Sequence, residues 1–534
     1  MSHSEYKKER RVNFDSLLNR KSIANYTLIL SGLLSGCTFS GIIPSYLLPV
    51  LLIPFIYCLI FLSEIQTLKQ HILSALLFYV AFHSSVYVWF LNANIHGLTG
   101  ISEKTAIFAS GFILCLTSLI ITVPMLWVGI FIYLCKLNFN DRRVSIILLP
   151  IIWVVCEYFR SIVFSIYAYG KGGSIGDYWN FGSLGLSVMQ SPLSKLSQFI
   201  GMYGLSFIVI SLSVMLTSVI FYKSYQQLVL YGSIFILLIG LGYFTSHTQN
   251  NQTDLRWGSV QSSTAQNDNY FEENWIENEN PNPKDLIVLT EYSELFNKGN
   301  GRTVQKFVNN RLSDNGISVD VDGGEKSQRY GTLRFRDGSG IVRESQTKKL
   351  LIPTGEYMPN VVSAIYAVIG KSKYVDNFNL TRKLSKGLAV KTHVSDKLVI
   401  GPVACSGILS RNDYRKLVND GAEVLTNSAS LVIFNQSKAY FEQSLSMARF
   451  HSIANQRTYI QASRGAPAFV LDNNGDYIVR PGNIDSKFTD FSFYKNNSKT
   501  LYTIFGEWIL YCCIVVAILT IAYITVKYRV DKTQ

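Results

Sequence analysis

The chain has 534 residues, of which 48% are hydrophobic and only 16% are charged, and its formal net charge is +13. Soluble domains carry about 25% charged residues, so this composition excludes a disordered chain and a small disulfide-rich protein and favours a membrane protein, with or without a soluble domain. The positive charge does not indicate a nucleic-acid partner. Residues 247–503 hold 31 basic and 26 acidic residues, and most of the other basic residues flank apolar segments, as in membrane proteins.

Eight long apolar segments are predicted to cross a membrane, because a helix needs about 20 apolar residues to span the bilayer. Seven precede residue 247 and one lies near the C-terminus. Only Pro44 separates the first two, and the first is not a cleaved signal peptide because further spans follow it. In chain order the segments are 26–43, 44–62, 72–92, 105–135, 144–160, 197–222, 226–246 and 505–526.

Lysine and arginine counts in the short flanking segments predict the orientation of these spans. With the N-terminus in the cytoplasm, the inside flanks hold 14 basic residues and the outside flanks hold 4. The predicted organisation is then a cytoplasmic tail at 1–25, a seven-helix membrane domain at 26–246, an extracytoplasmic domain at 247–503, an eighth transmembrane helix at 504–526 and a cytoplasmic tail at 527–534.

The predicted extracytoplasmic domain contains short strand-like runs between turn signals and two helical patterns, Arg411–Asp420 and Ser437–Asn455. Strands that alternate with helices predict an α/β or mixed layered domain. Asp472–Asp476 is typical of a hairpin turn. The candidate strands are Leu255–Gln261, Asp285–Glu291, Gly331–Arg336, Lys397–Cys405, Ala422–Asn427, Thr458–Ala462 and Ala468–Leu471.

One segment of this domain, Tyr357–Gly370, is almost uncharged. A short apolar run does not by itself distinguish a core helix from a surface element. Two interpretations are open: a buried helix, or a flap that touches the membrane.

Three residues of the domain could carry chemistry. Seven of the eight cysteines lie in or beside predicted spans, so Cys405 is the one cysteine in the sequence of the extracytoplasmic domain. It ends a predicted strand, where α/β domains place reactive groups. Cys405 is therefore either a buried core thiol or a nucleophile. Glu291 also ends an apolar strand, although such a carboxylate is more often a surface residue. Lys348 precedes an apolar run that leads to Glu356, and alone it indicates only a basic turn.

Together and in this order, the strand-terminal Glu291, the Lys348 ahead of Leu-Ile-Pro and the strand-terminal Cys405 resemble the Glu-Lys-Cys triad of the nitrilase superfamily. With its membrane segments, the chain resembles the apolipoprotein N-acyltransferases from about residue 20 to 525. Further stretches similar to that family are Trp153–Glu157–Arg160, Ser191–Leu193 with Ile200–Phe207, Val260–Gln261, Tyr330–Thr332, Ile352–Tyr357 and Gly421–Asn427.

The resemblance implies a multi-span α-helical membrane domain of about eight transmembrane helices with an inserted, extracytoplasmic nitrilase-like α-β-β-α sandwich. It implies that Cys405 carries an acyl thioester, Glu291 moves protons, Lys348 stabilises the oxyanion and Glu356 supports Lys348. The implied partners are a phospholipid acyl donor, an apolipoprotein acceptor with a diacylglyceryl-modified cysteine, and membrane lipid. A monomer of the bacterial inner membrane is expected, with its catalytic domain facing the periplasm, both termini in the cytoplasm, and neither cofactor nor metal.

The sequence departs from the family around the triad. Ser406–Gly407 follow the nucleophile where the family usually has Tyr-Glu, and Tyr270 replaces a tryptophan. Ile433–Asn435 replace the family's Trp-Phe-Gly, and Ser463–Gly465 replace its Asn-Thr-Gly. Because Lys349 adjoins Lys348, the match to the family lysine could be shifted by one residue. Two other functions therefore stay open: an extracytoplasmic nitrilase-type amidase, and a catalytically weakened homologue that binds lipid or lipoprotein.

Overall fold

The computed structural model describes residues 21–60, 67–93, 102–139, 142–222, 233, 240, 254–264, 283–291, 311–322, 329–368, 370–484 and 487–533. Its α-helices belong to two groups, one before residue 223 and one after residue 359. The first group is α1 Lys21–Cys37, α2 Leu48–Leu51, α3 Ile53–Ile60, α4 Leu68–Val86, α5 Glu103–Asn138, α6 Arg142–Tyr167, α7 Leu184–Ser187 and α8 Ser197–Tyr222. The second is α9 Asn360–Val368, α10 Ser372–Thr381, α11 Arg411–Asn419, α12 Lys438–Asn455, α13 Leu501–Phe505 and α14 Trp508–Thr533.

Four of the described helical segments are long and apolar enough to cross a bilayer: Glu103–Asn138, Arg143–Tyr167, Pro192–Phe221 and Trp508–Lys527. They coincide with four predicted spans, and α1, α3 and α4 lie within or overlap three others. The predicted segment 226–246 lies outside the described residues, apart from Ser233 and Gly240. The predicted long apolar helices are thus found, and the helices before residue 223 together with α14 are called the membrane region below; the number of eight spans stays a prediction.

The strands form two half-sheets that join at one point. The part of the chain that the structure describes contains twelve strands: β1 Leu255–Ser263, β2 Lys284–Glu291, β3 Leu312–Asp322, β4 Thr332–Arg336, β5 Val342–Thr347, β6 His393–Val394, β7 Val399–Ala404, β8 Val424–Ser430, β9 Thr458–Arg464, β10 Phe469–Leu471, β11 Tyr477–Val479 and β12 Lys487–Tyr494. One half-sheet has the order β5-β4-β3-β2-β1-β12, and the other β11-β10-β9-β8-β7-β6. Among the described residues, the halves are connected where Ser262 and Ser263 of β1 pair with β9.

Buried side chains show how the layers stack. Val288 and Val319 of the first half-sheet share an apolar core with Ile400 and Val424 of the second, so the two half-sheets face each other. On the opposite face of the second half-sheet, α11 and α12 pack in another apolar cluster, which extends into the membrane helices. The described residues therefore form a layered α/β domain whose helical layer faces the membrane region.

The predicted strands all occur, with boundaries that differ by a few residues, and β10 and β11 form the predicted hairpin at Asp472–Asp476. The sequence analysis missed β3, β5, β6, β11 and β12. β5 is largely exposed and polar, and β3 is interrupted by Ser-Asp-Asn-Gly. Neither strand shows the regular apolar alternation that identifies a half-buried strand.

Within the apolar segment Tyr357–Gly370, residues Asn360–Val368 form α9, and none of the residues of that helix is buried, whereas Tyr357 and Met358 ahead of it are. The interpretation as a buried core helix is therefore wrong. The helix is attached to the membrane region at its N-terminus, where the Asn360 amide donates to Tyr169 O (2.8 Å) and the Tyr357 hydroxyl donates to Ala168 O (2.8 Å). This position is compatible with a membrane-facing flap, which stays a prediction.

We expect Ile365→Asp to leave the melting temperature of the protein almost unchanged. Ile365 is 39% exposed, and substitutions at such positions usually change the free energy of unfolding by no more than about 0.5 kcal/mol. Thermal unfolding in detergent measures this, with Leu417→Asp as the control, because Leu417 is fully buried in α11 and an unpaired buried charge costs several kcal/mol. A large loss of stability in the Ile365 variant would contradict the exposed position of α9.

Candidate active site

The candidate site lies where several parallel strands end together. β2, β1, β9, β8 and β7 run parallel in successive pairs, so their carboxyl ends meet at one edge, the usual place for reactive groups in an α/β sheet. Glu291 is the last residue of β2, and Cys405 directly follows β7 at the start of a short 3₁₀ turn, Cys405–Leu409. The joining of the two half-sheets brings these strand ends together.

Lys348 lies between two buried carboxylates. Its Nζ is 3.1 Å from Glu291 Oε1 and 2.6 Å from Glu356 Oε1. The second oxygen of each carboxylate is also bound, since the Ser430 amide donates to Glu291 Oε2 (3.1 Å) and the Ile352 amide donates to Glu356 Oε2 (2.9 Å). The ammonium group is thus fixed in position by charge-assisted hydrogen bonds, which are short and strong.

Cys405 has an unusual backbone conformation. Its φ angle is +46°, in the left-handed region, which costs a non-glycine residue about 1–3 kcal/mol and is concentrated at functional sites. Two contacts hold it there: Asn427 Nδ2 donates to Cys405 O (3.2 Å), and the thiol donates to Ser430 O, with 3.7 Å between sulfur and oxygen. The nucleophile candidate therefore has a fixed orientation at the strand end.

The environment of Cys405 keeps its thiol protonated at rest. Burial raises the pKa of the Cys405 thiol well above its usual range, the Glu291 carboxylate raises it further, and the Lys348 ammonium opposes both. A free thiolate would be unfavourable here, so proton removal must accompany bond formation. Glu291 is a carboxylate that interacts directly with this thiol.

Glu291, Lys348, Cys405 and Glu356 lie in one buried cluster. The lysine in this cluster is Lys348 and not the adjacent Lys349. Lys349 is partly exposed and forms an ion pair with Asp413 instead. Tyr270, the predicted replacement of a family tryptophan, lies outside the described residues. The sequence analysis missed Ser430 and missed Asn427 as a contact of Cys405. Ser430 is the last residue of β8, which pairs with β7, so the strand-end pattern could have indicated it, whereas Asn427 lies in the middle of that strand.

Two residues that depart from the family pattern have structural consequences. The Ser406 hydroxyl donates to Leu350 O, which ties the turn of the nucleophile to the segment that carries Lys348. At Gly407, an added Cβ atom would lie 2.7 Å from the Cβ of Val403, closer than two side chains can approach. In this chain the turn is packed so tightly that a glutamate at position 407 does not fit without a backbone shift.

We expect Gly407→Ala to destabilise the protein by about 1–3 kcal/mol, the usual cost of adding a methyl group to a filled core. Thermal or denaturant unfolding measures this effect. Gly355→Ala is the matched control, because a Cβ atom there meets its nearest neighbour at an ordinary 3.5 Å. Equal stability of the two variants would contradict the close packing at Val403.

An apolar cavity of about 220 Å³ is lined by Ser406, the residue after Cys405, and extends to the apolar helices before residue 223. Ser406 and Leu409 of the nucleophile turn, the stacked rings of Phe434 and Tyr440, and α9 form one wall. The facing wall consists of residues from the membrane region. These are Trp89, Phe90, Ala93, Ala109, Ser110, Ile113, Thr117, Phe164, Tyr167, Ala168, Trp179 and Phe181. A predominantly apolar cavity of this kind is suited to a hydrocarbon chain.

Comparisons with known proteins agree with the resemblance predicted from the sequence. The family model described as "Apolipoprotein N-acyltransferase N-terminal domain" matches residues 31–215. An apolipoprotein N-acyltransferase of Rickettsia bellii is 24% identical over 94% of this chain and 97% of its own length. Those of Rickettsia prowazekii and Treponema denticola are 24% and 22% identical, and the matches cover 92% and 73% of this chain and 96% and 79% of those proteins.

Solved structures match about half of the chain. A carbon-nitrogen hydrolase from Helicobacter pylori has a TM-score of 0.34 and 11% identity, and covers 48% of this chain and 95% of its own. Nit3 of Saccharomyces cerevisiae, a member of the nitrilase superfamily, has a TM-score of 0.32 and 13% identity, with coverages of 46% and 91%. The family model and the full-length relatives together confirm the predicted resemblance of this chain to the apolipoprotein N-acyltransferases.

Proposed function

We propose that this protein transfers an acyl chain from a phospholipid to the α-amino group of a diacylglyceryl-cysteine at the N-terminus of a lipoprotein. The observation that carries this proposal is the buried cluster of Cys405, Glu291 and Lys348 beside an apolar cavity that extends to membrane helix α5. The names of the full-length relatives support the same reaction. Glu356 completes the proposed site as the second partner of Lys348.

In the first half-reaction, Cys405 Sγ attacks the ester carbonyl carbon of the phospholipid. Glu291 accepts the thiol proton as the S–C bond forms, and Lys348 stabilises the negative charge that develops on the carbonyl oxygen. The C–O bond to glycerol then breaks, and the proton passes from Glu291 to the glycerol oxygen. The products are a thioester on Cys405 and a lysophospholipid.

In the second half-reaction, the acceptor's amine nitrogen attacks the thioester carbonyl carbon. Its proton moves to Glu291, the C–S bond breaks, and the thiolate recovers a proton from Glu291. This half-reaction requires that an amine, rather than water, reaches the thioester. The predominantly apolar lining of the cavity disfavours water, which supports acyl transfer over hydrolysis.

Intact-protein mass spectrometry after incubation with phospholipid vesicles tests the proposal. We expect the mass of one acyl chain on the protein, located at Cys405 and lost when a diacylglyceryl-cysteine peptide is added. Loss of the acyl mass with water alone, at the same rate, would favour an amidase or esterase. Binding of lipopeptide without any acyl intermediate would favour a catalytically inactive homologue.

We further propose a multi-pass protein of the bacterial inner membrane, with residues 247–503 in the periplasm and both termini in the cytoplasm. The charge asymmetry of the flanks and the four long apolar helices support this topology. We expect a reporter that is active only in the periplasm to be active when fused after Asn280, and a reporter that is active only in the cytoplasm to be active when fused after Gln534. The opposite pair of results would contradict the orientation.

A further inference from the structure

The turn that carries Cys405 is followed directly by a buried arginine that faces the membrane region. Arg411 is the first residue of α11 and is 6% exposed. Its Nη2 lies 2.6 Å from Asp177 Oδ2, and its Nε lies 3.3 Å from Glu507 Oε1. A buried guanidinium needs such partners, because an isolated buried charge is strongly unfavourable.

The partners of Arg411 come from three separate parts of the membrane region. Asp177 lies in the segment after α6, and Glu507 immediately precedes the last helix, α14. The guanidinium also lies over the ring of Tyr203, 4.7 Å from its centroid, within α8. One side chain beside the nucleophile turn therefore contacts segments that lie far apart in the sequence.

A break in α8 makes room for this junction. The backbone at Gly201 is left-handed, with φ +67°, and an added Cβ atom would lie 2.3 Å from Glu507 Oε2. The amides of Met202 and Tyr203, freed by the break, donate to Glu507 at 3.2 and 3.1 Å. Glu507 thus binds both the resumed helix and Arg411, and this shared contact limits the movement of α11 relative to α8.

The position of the turn relative to the membrane helices determines the shape of the apolar cavity. Ser406 and Leu409 of the turn form part of one wall, while Ile113 and Thr117 of α5 belong to the other. A shift of the turn would therefore misalign an acyl chain held between the walls. A displacement of about 1 Å can reduce the rate of a positioned reaction roughly a hundredfold.

We propose that Arg411 is a positioning residue: its junction with Asp177, Glu507 and Tyr203 holds the nucleophile turn against the membrane helices, so that a long acyl chain in the cavity presents its carbonyl group to Cys405. This inference rests on the proposed function and adds a residue outside the triad to it. The positioning role predicts that the effect of Arg411 depends on the length of the acyl chain, because a short acyl group does not reach the cavity wall formed by the membrane helices.

Single-turnover acylation of Cys405 by nitrophenyl esters of hexadecanoate and butanoate, followed by intact-protein mass spectrometry of the full chain in detergent, tests the proposal. We expect Arg411→Gln to lower the ratio of long-chain to short-chain acylation rates about tenfold or more. Arg411→Lys keeps the charge but not the planar group that reaches two carboxylates, so the ratio should be intermediate. Arg415→Gln is the matched control, because Arg415 lies one turn later on the same helix and contacts the carbonyl groups of Thr503 and Ile504 instead.

Asp177→Asn provides a second variant in case Arg411→Gln fails to fold, since Asp177 is partly exposed and the change keeps its shape. The long-to-short ratio should fall in this variant as well. An equal loss of both rates, or an unchanged ratio in the Asp177 variant, would overturn the positioning role while the proposed function stands. Failure of the unmodified protein to form a thioester with either ester would instead overturn the proposed function and this inference with it.

Discussion

Cys405→Ala should abolish the acyl-enzyme and lower the rate of acyl transfer to a diacylglyceryl peptide at least about a thousandfold. Losses of this size are typical when the nucleophile is removed from catalytic residues that act together. Cys405→Ser should also form no thioester, because an alcohol is a much weaker nucleophile at neutral pH than a thiol whose proton Glu291 can accept. Single-turnover mass spectrometry with phospholipid vesicles measures both effects.

Both Cys405 variants should keep the fold. Neither substitution adds volume, and the Asn427 contact is made to the backbone oxygen of residue 405, which both retain. The melting temperature and the binding of lipopeptide should therefore stay close to those of the unmodified protein. If Cys405→Ala transfers acyl groups as fast as the unmodified protein, the assignment of the triad is wrong.

The sequence predicts the elements of this fold better than it predicts their assembly. Long apolar runs and alternating strands are local signals, and they correctly indicated helices α5, α6, α8 and α14 and strands such as β2 and β7. The junction of the two half-sheets at Ser262 and Ser263 depends on pairing between strands about 200 residues apart. No local pattern specifies such a pairing.

In the candidate site, too, local features could be predicted from the sequence while contacts between distant segments could not. Glu291 and Cys405 each end an apolar strand, but only their order with Lys348, which resembles the nitrilase triad, predicted a common site; the structure places all three in one buried cluster. The junction at Arg411 could not be predicted, since its partners Asp177 and Glu507 belong to distant segments. Likewise, the exposure of α9 depends on what packs against it, which a short apolar run does not reveal.

Glu356→Gln should slow the acylation of Cys405 about tenfold to a hundredfold. Glu356 accepts a 2.6 Å hydrogen bond from Lys348 Nζ in a buried setting, and a hydrogen bond to a charged group contributes about 1.5–3 kcal/mol. The glutamine keeps the shape but removes one of the two negative charges beside the ammonium group. Lys348 then pairs with Glu291 alone, so it is held less firmly in the position from which it stabilises the oxyanion.

The matched control is Asp337→Asn, because Asp337 lies in the turn between β4 and β5, where its carboxylate accepts bonds from Ser339, Ile341 and Arg343 and from no residue of the site. Its acylation rate should equal that of the unmodified protein, so equal rates for both variants would reject the role of Glu356.

The pH dependence of acylation offers an independent test of Glu356. Burial raises the pKa of the Glu356 carboxyl group above its usual value, and Glu291 adds to this, although Lys348 and the Ile352 amide oppose it. As the pH falls, Glu356 therefore takes up a proton before an ordinary glutamate does, and the protonated form resembles glutamine. The rates of the unmodified protein and of Glu356→Gln should thus converge toward acidic pH, while the rate of Asp337→Asn should follow the unmodified protein throughout. A constant ratio between the unmodified protein and Glu356→Gln over the whole pH range would show that the charge of Glu356 does not support Lys348.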